Sequence, residues 1–219
     1  MSIKENLQQV KKEVSSKITL VAVSKTKPVS DIMQAYDAGH RDFGENKAQE
    51  LQNKQPELPG DIRWHMIGHM QRNKVKYIAP YVHMIHAVDS FKLAKEIQKQ
   101  AAKHDRVIDC LLQFHIAEEA TKFGFSTEEF EEVLKQTDIN ALPNVRFRGV
   151  MGMATFTEDT NQIRREFKQL VQIFKQIKAN FNEHFDQISM GMSQDYKIAI
   201  EEGATIIRVG STIFGARNY

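Results

Sequence analysis

Short apolar runs alternate with longer amphipathic segments along this chain, and the alternation repeats eight times. The runs are "ITLVAVS", "RDFGEN", "RWHMIGH", "MIHAVDS", "VIDCLLQFHI", "VRFRGVMGM", "QISMGMS" and "IIRVGSTIFG". In the first, Ile18 to Val23 are apolar or β-branched without a polar break, the pattern of a strand buried on both faces inside a parallel sheet. Between the runs lie predicted helices. One opens at Pro28 and Ser30 and closes at Gly39. Another, from about Asn161 to Phe181, carries Ile163, Phe167, Leu170, Val171, Phe174, Ile177 and Phe181 on one stripe. "STEEFEEVLKQ" begins with Ser126 as N-cap and Glu129 completing a capping box. An extra amphipathic helix, with Ile3, Leu7, Val10 and Val14 at helical spacing, precedes the first strand.

Eight strand-helix repeats without a Pro-, Gly- or Ser-rich linker predict one α/β array over residues 1–219, and a closed (β/α)₈ TIM barrel is the economical form of it. A doubly wound open sheet is the alternative. No G-x-G-x-x-G follows the first strand and no G-x-x-x-x-G-K-[ST] occurs anywhere, which removes the usual dinucleotide and P-loop sites. Composition adds exclusions. A formal net charge of +2, with basic and acidic residues interspersed, argues against a nucleic-acid or membrane surface. The single cysteine, Cys110, falls in an apolar run and reads as a small core residue in a reducing compartment. With no signal-peptide pattern and no membrane-span pattern, a cytoplasmic protein is expected.

Candidate chemistry clusters at the carboxyl ends of the runs, where barrels and open α/β sheets bind ligands. Lys25 follows the first strand. The seventh and eighth runs end in Ser189, Gly191 and Ser193 and in Gly210, Ser211 and Thr212, small and hydroxyl residues where barrels frequently bind phosphate. Ser193 also reads as the N-cap of "QDYKIAIEEG". The second run delivers Gly44, Glu45 and Asn46 to the same rim. His65 and His69 are four apart but lie on strand and then loop, so no metal pair is expected, and His83 and His86 lack a ligand cluster. There is no G-x-S-x-G elbow. If the sheet closes, the eighth strand pairs with the first, and Lys25 faces the glycine-rich loops. A ligand bearing both an aldehyde and a phosphate would then be held at two ends, and pyridoxal 5'-phosphate (PLP) is the obvious candidate. A sugar phosphate bound by an aldolase-type imine at Lys25 would use the same parts.

The segments "VAVSKTKP", "FGENKAQE", "WHMIGHMQRNK", "ATKFGF", "SMGMSQDYKIAI" and "RVGSTIFGAR" resemble the pyridoxal phosphate homeostasis proteins, relatives of the alanine racemase barrel. The resemblance implies a fold-type III PLP-binding barrel with Lys25 as the Schiff-base lysine. It implies that Ser193, Gly210 and Ser211, helped by the Met192 backbone, hold the phosphate, that Asn46 lies near the cofactor, and that Arg208 faces the pyridine nitrogen. It further implies a role in carrying, buffering or delivering PLP without robust catalysis. PLP-dependent apoenzymes would be transient partners, and the expected state is a monomer. A PLP-dependent amino-acid racemase is the rival with the same cofactor. The racemases resembled place a further carboxy-terminal domain over the pocket, whereas this chain stops at Tyr219 directly after the eighth run, so that domain is expected to be missing. His115 stands where the family tends to carry asparagine and Ala87 where serine is usual.

Overall fold

The computed structural model describes residues 2–118, 123–139 and 141–216. Residues 120–122 of "ATKFGF", Arg217 of the last motif and Tyr219 lie outside the described residues. Eight parallel strands close into a barrel in sequence order: β1 (Thr19–Val23), β2 (Asp42–Glu45), β3 (Arg63–Met66), β4 (Met84–Val88), β5 (Ile108–Gln113), β6 (Val145–Met151), β7 (Gln187–Ser189) and β8 (Ile206–Val209). Closure is made by β1 against β8, with Leu20 beside Ile207 and Ala22 beside Val209. The helices are α1 (Ile3–Glu13), α2 (Val29–Asp37), α3 (Ala48–Lys54), α4 (Val75–Ile78), α5 (Phe91–Ala102), α6 (Thr127–Gln136), α7 (Thr160–Ile177), α8 (Tyr196–Glu201) and α9 (Ser211–Phe214).

The eight runs are therefore the eight strands, and the closed barrel is the form they take. The capping box at Ser126 and Glu129 is present, and α1 opens with a second one made by Ser2 and Glu5. The long apolar stripe forms α7, which starts at an Asp159 cap and ends at Ile177, continuing only as a 3₁₀ turn over Lys178–Asn180. Apolar side chains form two separate clusters. The large one packs helices on the outer face of the sheet, while Val21, Met84, Ala87, Leu111, Met151 and Ile206 fill the barrel itself. This double burial explains why β1, β4, β5 and β8 read as nearly unbroken apolar runs. Cys110 is in the outer cluster and fully buried, and burial pushes its thiol pKa well up, so it is a packing residue. Gly149, at φ +153, sits where the register of β6 shifts against β5, and a Cβ there would lie 1.8 Å from the Gln187 carbonyl oxygen.

At the amino-terminal mouth of the barrel, inward charges pair. Arg63 binds Asp42, and Arg146 and Arg148 both bind Asp109, with Arg148 also reaching Asp186 at 3.3 Å. The opposite mouth is left open for a ligand. The added helix α1 supports that end: Asn6 Nδ2 donates to the Ile213 carbonyl at 3.1 Å, and the Tyr196 hydroxyl donates to Glu13 at 2.6 Å. No helix among the described residues is long and apolar enough to cross a membrane.

Candidate functional site

One cleft of about 1020 Å³ opens at the carboxyl ends of the strands, and Lys25, Asn46, Met192, Ser193, Arg208, Gly210 and Ser211 all line it. Phe123 and Phe156, both largely exposed, stand among its lining residues, and the Phe123 ring stacks on His69 at 3.8 Å. Lys25 is half-buried and occupies the second position of a four-residue turn. The Lys27 N–H donates to the Ser24 carbonyl at 3.0 Å, and Thr26 takes a left-handed φ of +64°. A threonine is uncommon in that conformation, so the turn needs support from outside itself. It comes from α3. The Glu50 carboxylate accepts from the Thr26 N–H at 2.5 Å, and the Lys54 ammonium donates to the Ser24 carbonyl at 2.9 Å.

Lys54 also donates to Glu45 at 2.8 Å and to Glu50 at 2.7 Å, so its three N–H bonds are all used. The Ser24 hydroxyl donates to the same Glu45 oxygen at 2.6 Å. Burial pushes the Glu45 pKa up, against the opposing pull of Lys54. Glu45 is thus not delivered to the ligand rim, as its place in the second run had suggested. It is fully buried on the outer face of β2, because side chains alternate along a strand and Asn46 takes the cleft-facing position. Lys54 and Glu50 are functional supports that the sequence reading missed. Their signal was a lysine on the buried stripe of α3, in line with Ala48 and Leu51.

The loops after β7 and β8 are joined through Ser193. Its Oγ accepts from the Gly210 N–H at 3.0 Å and from the Thr212 N–H at 3.5 Å, which leaves its own O–H to donate into the cleft. Ser193 is therefore not the cap of α8. That helix begins at Tyr196 after Asp195, whose carboxylate turns back to accept from the Met192 N–H. Gly191, at φ +91, makes the turn possible, since a Cβ there would stand 2.5 Å from the Ala199 Cβ. The backbone N–H groups of Ser193 and Ser211 have no acceptor among the described residues. At Gly210 a Cβ would come within 3.2 Å of the Val23 carbonyl oxygen, so the β8 loop lies directly against the strand end that carries Lys25.

Ser189 departs from the expectation that it joins an anion site. It points into the barrel, fully buried, and accepts from Arg208 at 2.6 Å. Arg208 is also buried, donates to the Gly152 carbonyl at 3.0 Å, and closes the floor of the cleft. Burial pushes its pKa down to about 10, partly offset by Asp195, so it stays a cation and a pure donor at neutral pH. His65 and His69 diverge as their strand-then-loop placement requires: His65 is buried in the barrel, and His69 is exposed and paired with Asp89 at 2.9 Å. Ala87 is fully buried in the inner cluster, and His115 is half-buried.

A (β/α)₈ barrel with a lysine after its first strand and hydroxyl-glycine loops after its last two defines a class, and the family model of the alanine racemase N-terminal domain matches residues 1–218. Within that class, the chain belongs to the pyridoxal phosphate homeostasis protein family. The Aquifex aeolicus pyridoxal phosphate homeostasis protein is 39% identical over 91% of this chain and 87% of its own length, and the Escherichia coli K12 protein of that name is 34% identical over 99% and 97%. Among solved structures, PipY of Synechococcus elongatus with PLP bound is 33% identical and superposes with a TM-score of 0.89 over 98% of this chain and all of its own. Alanine racemase from Bartonella henselae shares the fold at 13% identity, with a TM-score of 0.74 over 60% of its longer chain.

Proposed function

We propose that this protein binds PLP in the cleft above β1 and β8, linked covalently through Lys25, and that it holds and hands on the cofactor without turning over an amino acid. The observation that carries this reading is the placement of the Lys25 turn against the Ser193, Gly210 and Ser211 loops in a single cleft. The donor set fits the cofactor. Lys25 supplies an amine for an aldehyde carbon, condensing with loss of water, and the turn held by Lys54 and Glu50 fixes where that amine stands. The Ser193 hydroxyl and the Ser193 and Ser211 N–H groups suit a phosphate. Asn46 lines the same cleft.

PLP supplies an electron sink when its ring nitrogen is protonated. Arg208 is a permanent donor at the cleft floor, and it would bond an unprotonated ring nitrogen and oppose protonation beside its own charge. That arrangement weakens the electron sink but also serves some racemases of this fold, so the carrier reading rests on the relatives. The names of the relatives and the PLP bound to PipY support the same reading. Delivery to PLP-dependent apoenzymes is the protein contact that such a role requires.

The test is to load the purified protein with PLP, reduce it with borohydride, and locate the added mass by peptide mapping. The label is expected on Lys25, and Lys25→Ala is expected to lose the visible absorbance while remaining folded. An unchanged band in that variant would place the link elsewhere. Incubation with L-alanine in deuterium oxide should give slow α-deuterium incorporation. Turnover at about 1 per second or faster would refute the carrier reading.

A further inference from the structure

The barrel interior beneath the cleft is not wholly apolar. Inward positions on five strands carry Asp42, His65, His86, Ser189 and Arg208, and hydrogen bonds join them in series. His65 Nε2 lies 3.1 Å from Asp42 Oδ1, His65 Nδ1 lies 2.9 Å from His86 Nε2, His86 Nδ1 lies 3.0 Å from Ser189 Oγ, and Arg208 Nη1 lies 2.6 Å from the same Oγ. His65, His86, Ser189 and Arg208 are each no more than 4% exposed.

The two ends of this series differ in kind. A guanidinium only donates, and a carboxylate only accepts. Asp42 is the ionised end: burial works against its charge, but bonds from Arg63 and His65 outweigh that and hold its pKa well below the usual carboxylate range. Starting from Asp42, His65 must carry its proton on Nε2. If His65 is neutral, its Nδ1 accepts, so His86 donates from Nε2. The His86 Nδ1 then accepts from the Ser189 O–H, whose oxygen accepts from Arg208. The ring nitrogens of both histidines and the Ser189 hydroxyl are then all used. If His65 were an imidazolium, each link between it and Ser189 would reverse. Ser189 Oγ would then accept from both Arg208 and His86, and its own O–H would be left buried with no acceptor among the described residues, a costly arrangement.

We propose that His65, His86 and Ser189 are positioning residues. They form a one-way hydrogen-bond chain, Arg208 to Ser189 to His86 to His65 to Asp42, that fixes the orientation of the Arg208 guanidinium and so the hydrogen bond it presents to the ring nitrogen of a bound pyridine. The last clause rests on the proposed function; the direction of the chain does not. The chain crosses the barrel from the ion pairs at its closed mouth to the floor of the ligand cleft. It accounts for two buried histidines that take no other part in the site.

The direction is tested on the ligand-free protein by ¹⁵N NMR of the imidazole nitrogens at neutral pH, assigned with His65→Gln and His86→Gln. Both rings are expected to be neutral with the proton on Nε2. A proton on Nδ1 of either ring would overturn the chain. In Asp42→Asn, which removes the obligate acceptor, tautomers at both histidines are expected to become mixed, and unchanged tautomers would show that the ends do not set the direction.

The use of the chain is tested by comparing affinity for PLP and for its 1-deaza analogue, which has carbon in place of the ring nitrogen. Loss of one charge-assisted hydrogen bond predicts a preference for PLP of about tenfold or more in the wild type. Ser189→Ala should narrow that preference at least about threefold, and Ser189→Thr, which restores the hydroxyl, should keep it. A folded Ser189→Ala with the full preference would overturn the positioning role. Wild-type protein that bound neither compound would refute the proposed function and with it the use of the chain, while the tautomers would still decide its direction.

Discussion

Replacing Lys54 with methionine isolates the support beneath the Lys25 turn. Methionine keeps the apolar stem of the stripe but removes three hydrogen bonds, to Ser24, Glu45 and Glu50. What remains is a fully buried Glu45 whose Oε1 keeps only the Ser24 hydroxyl and whose Oε2 has no partner. Breaking one side of a buried ion pair costs about 3–5 kcal/mol. Glu45 can limit that cost by taking up a proton. From an ordinary pKa of 4.5, neutralising it at pH 7 costs roughly 3.4 kcal/mol, at 1.36 kcal/mol per unit. The expected penalty is therefore about 3–4 kcal/mol at pH 7. Its pH dependence follows from the sign of the shift. The folded variant holds a proton on Glu45 that the unfolded chain releases above its own pKa, so the penalty grows as pH rises and shrinks by up to about 1.4 kcal/mol per unit as pH falls toward 4.5. Urea unfolding at pH 7 and pH 5 measures this, and adding Glu45→Gln to Lys54→Met should recover most of the loss at pH 7. A penalty under about 1 kcal/mol, or one that neither low pH nor Glu45→Gln relieves, would refute the account of a buried charge held by Lys54. PLP affinity should fall in Lys54→Met under conditions where it is folded, because Ser24 loses its anchor and Glu50, which holds Thr26 on the other side of Lys25, loses the ammonium that positions it.

Ser193→Ala should weaken PLP about tenfold or more while leaving affinity for pyridoxal, which lacks the phosphate, nearly unchanged, as read by absorbance titration of both. Gly191→Ala should cost about 2–5 kcal/mol in chemical denaturation, adding a left-handed φ to a Cβ 2.5 Å from that of Ala199, and should weaken phosphate-dependent binding with it. Burial pushes the His40 pKa down to about 4 from 6.5, so the folded state binds fewer protons than the unfolded one across that window. Stability is full above pH 6.5 and is expected to decline by up to about 3 kcal/mol as pH falls to 4, a slope that His40→Gln should flatten in denaturation curves taken across the range.

What could be read in the sequence, and what could not, follows from how far each feature depends on contacts distant along the chain. Strands β1, β4, β5 and β8 were the most legible because each is buried on both faces, which leaves a nearly unbroken apolar run. Lys25, Asn46, Ser193, Gly210 and Ser211 were legible because a parallel barrel delivers every strand end to one rim, whereas Met192 and Arg208 came only with the family resemblance. Errors arose where one residue of parity or one hydrogen bond decides the outcome. Glu45 and Asn46 are neighbours in sequence and lie on opposite faces of the sheet. Ser193 has the chemistry of an N-cap, but the amides it serves belong to Gly210 and Thr212, beyond a helix and a strand. Ser189 was placed with the anion loop although it is the last residue of β7 and points into the packed barrel interior, where its hydroxyl meets Arg208.

The interior series is the clearest case. Asp42, His65, His86, Ser189 and Arg208 come from five strands, and none is distinguished by its immediate neighbours. Polar residues at inward positions of otherwise buried strands are unexpected, since an inner layer of Val, Ile or Leu would fill the barrel without any need for hydrogen bonding. Each alone would cost stability if left unpaired. Only as a set, with a donor fixed at one end and an acceptor at the other, do they become compatible with burial. Their individual cost and mutual satisfaction together argue that the series exists for what its upper end, Arg208, presents to the cleft.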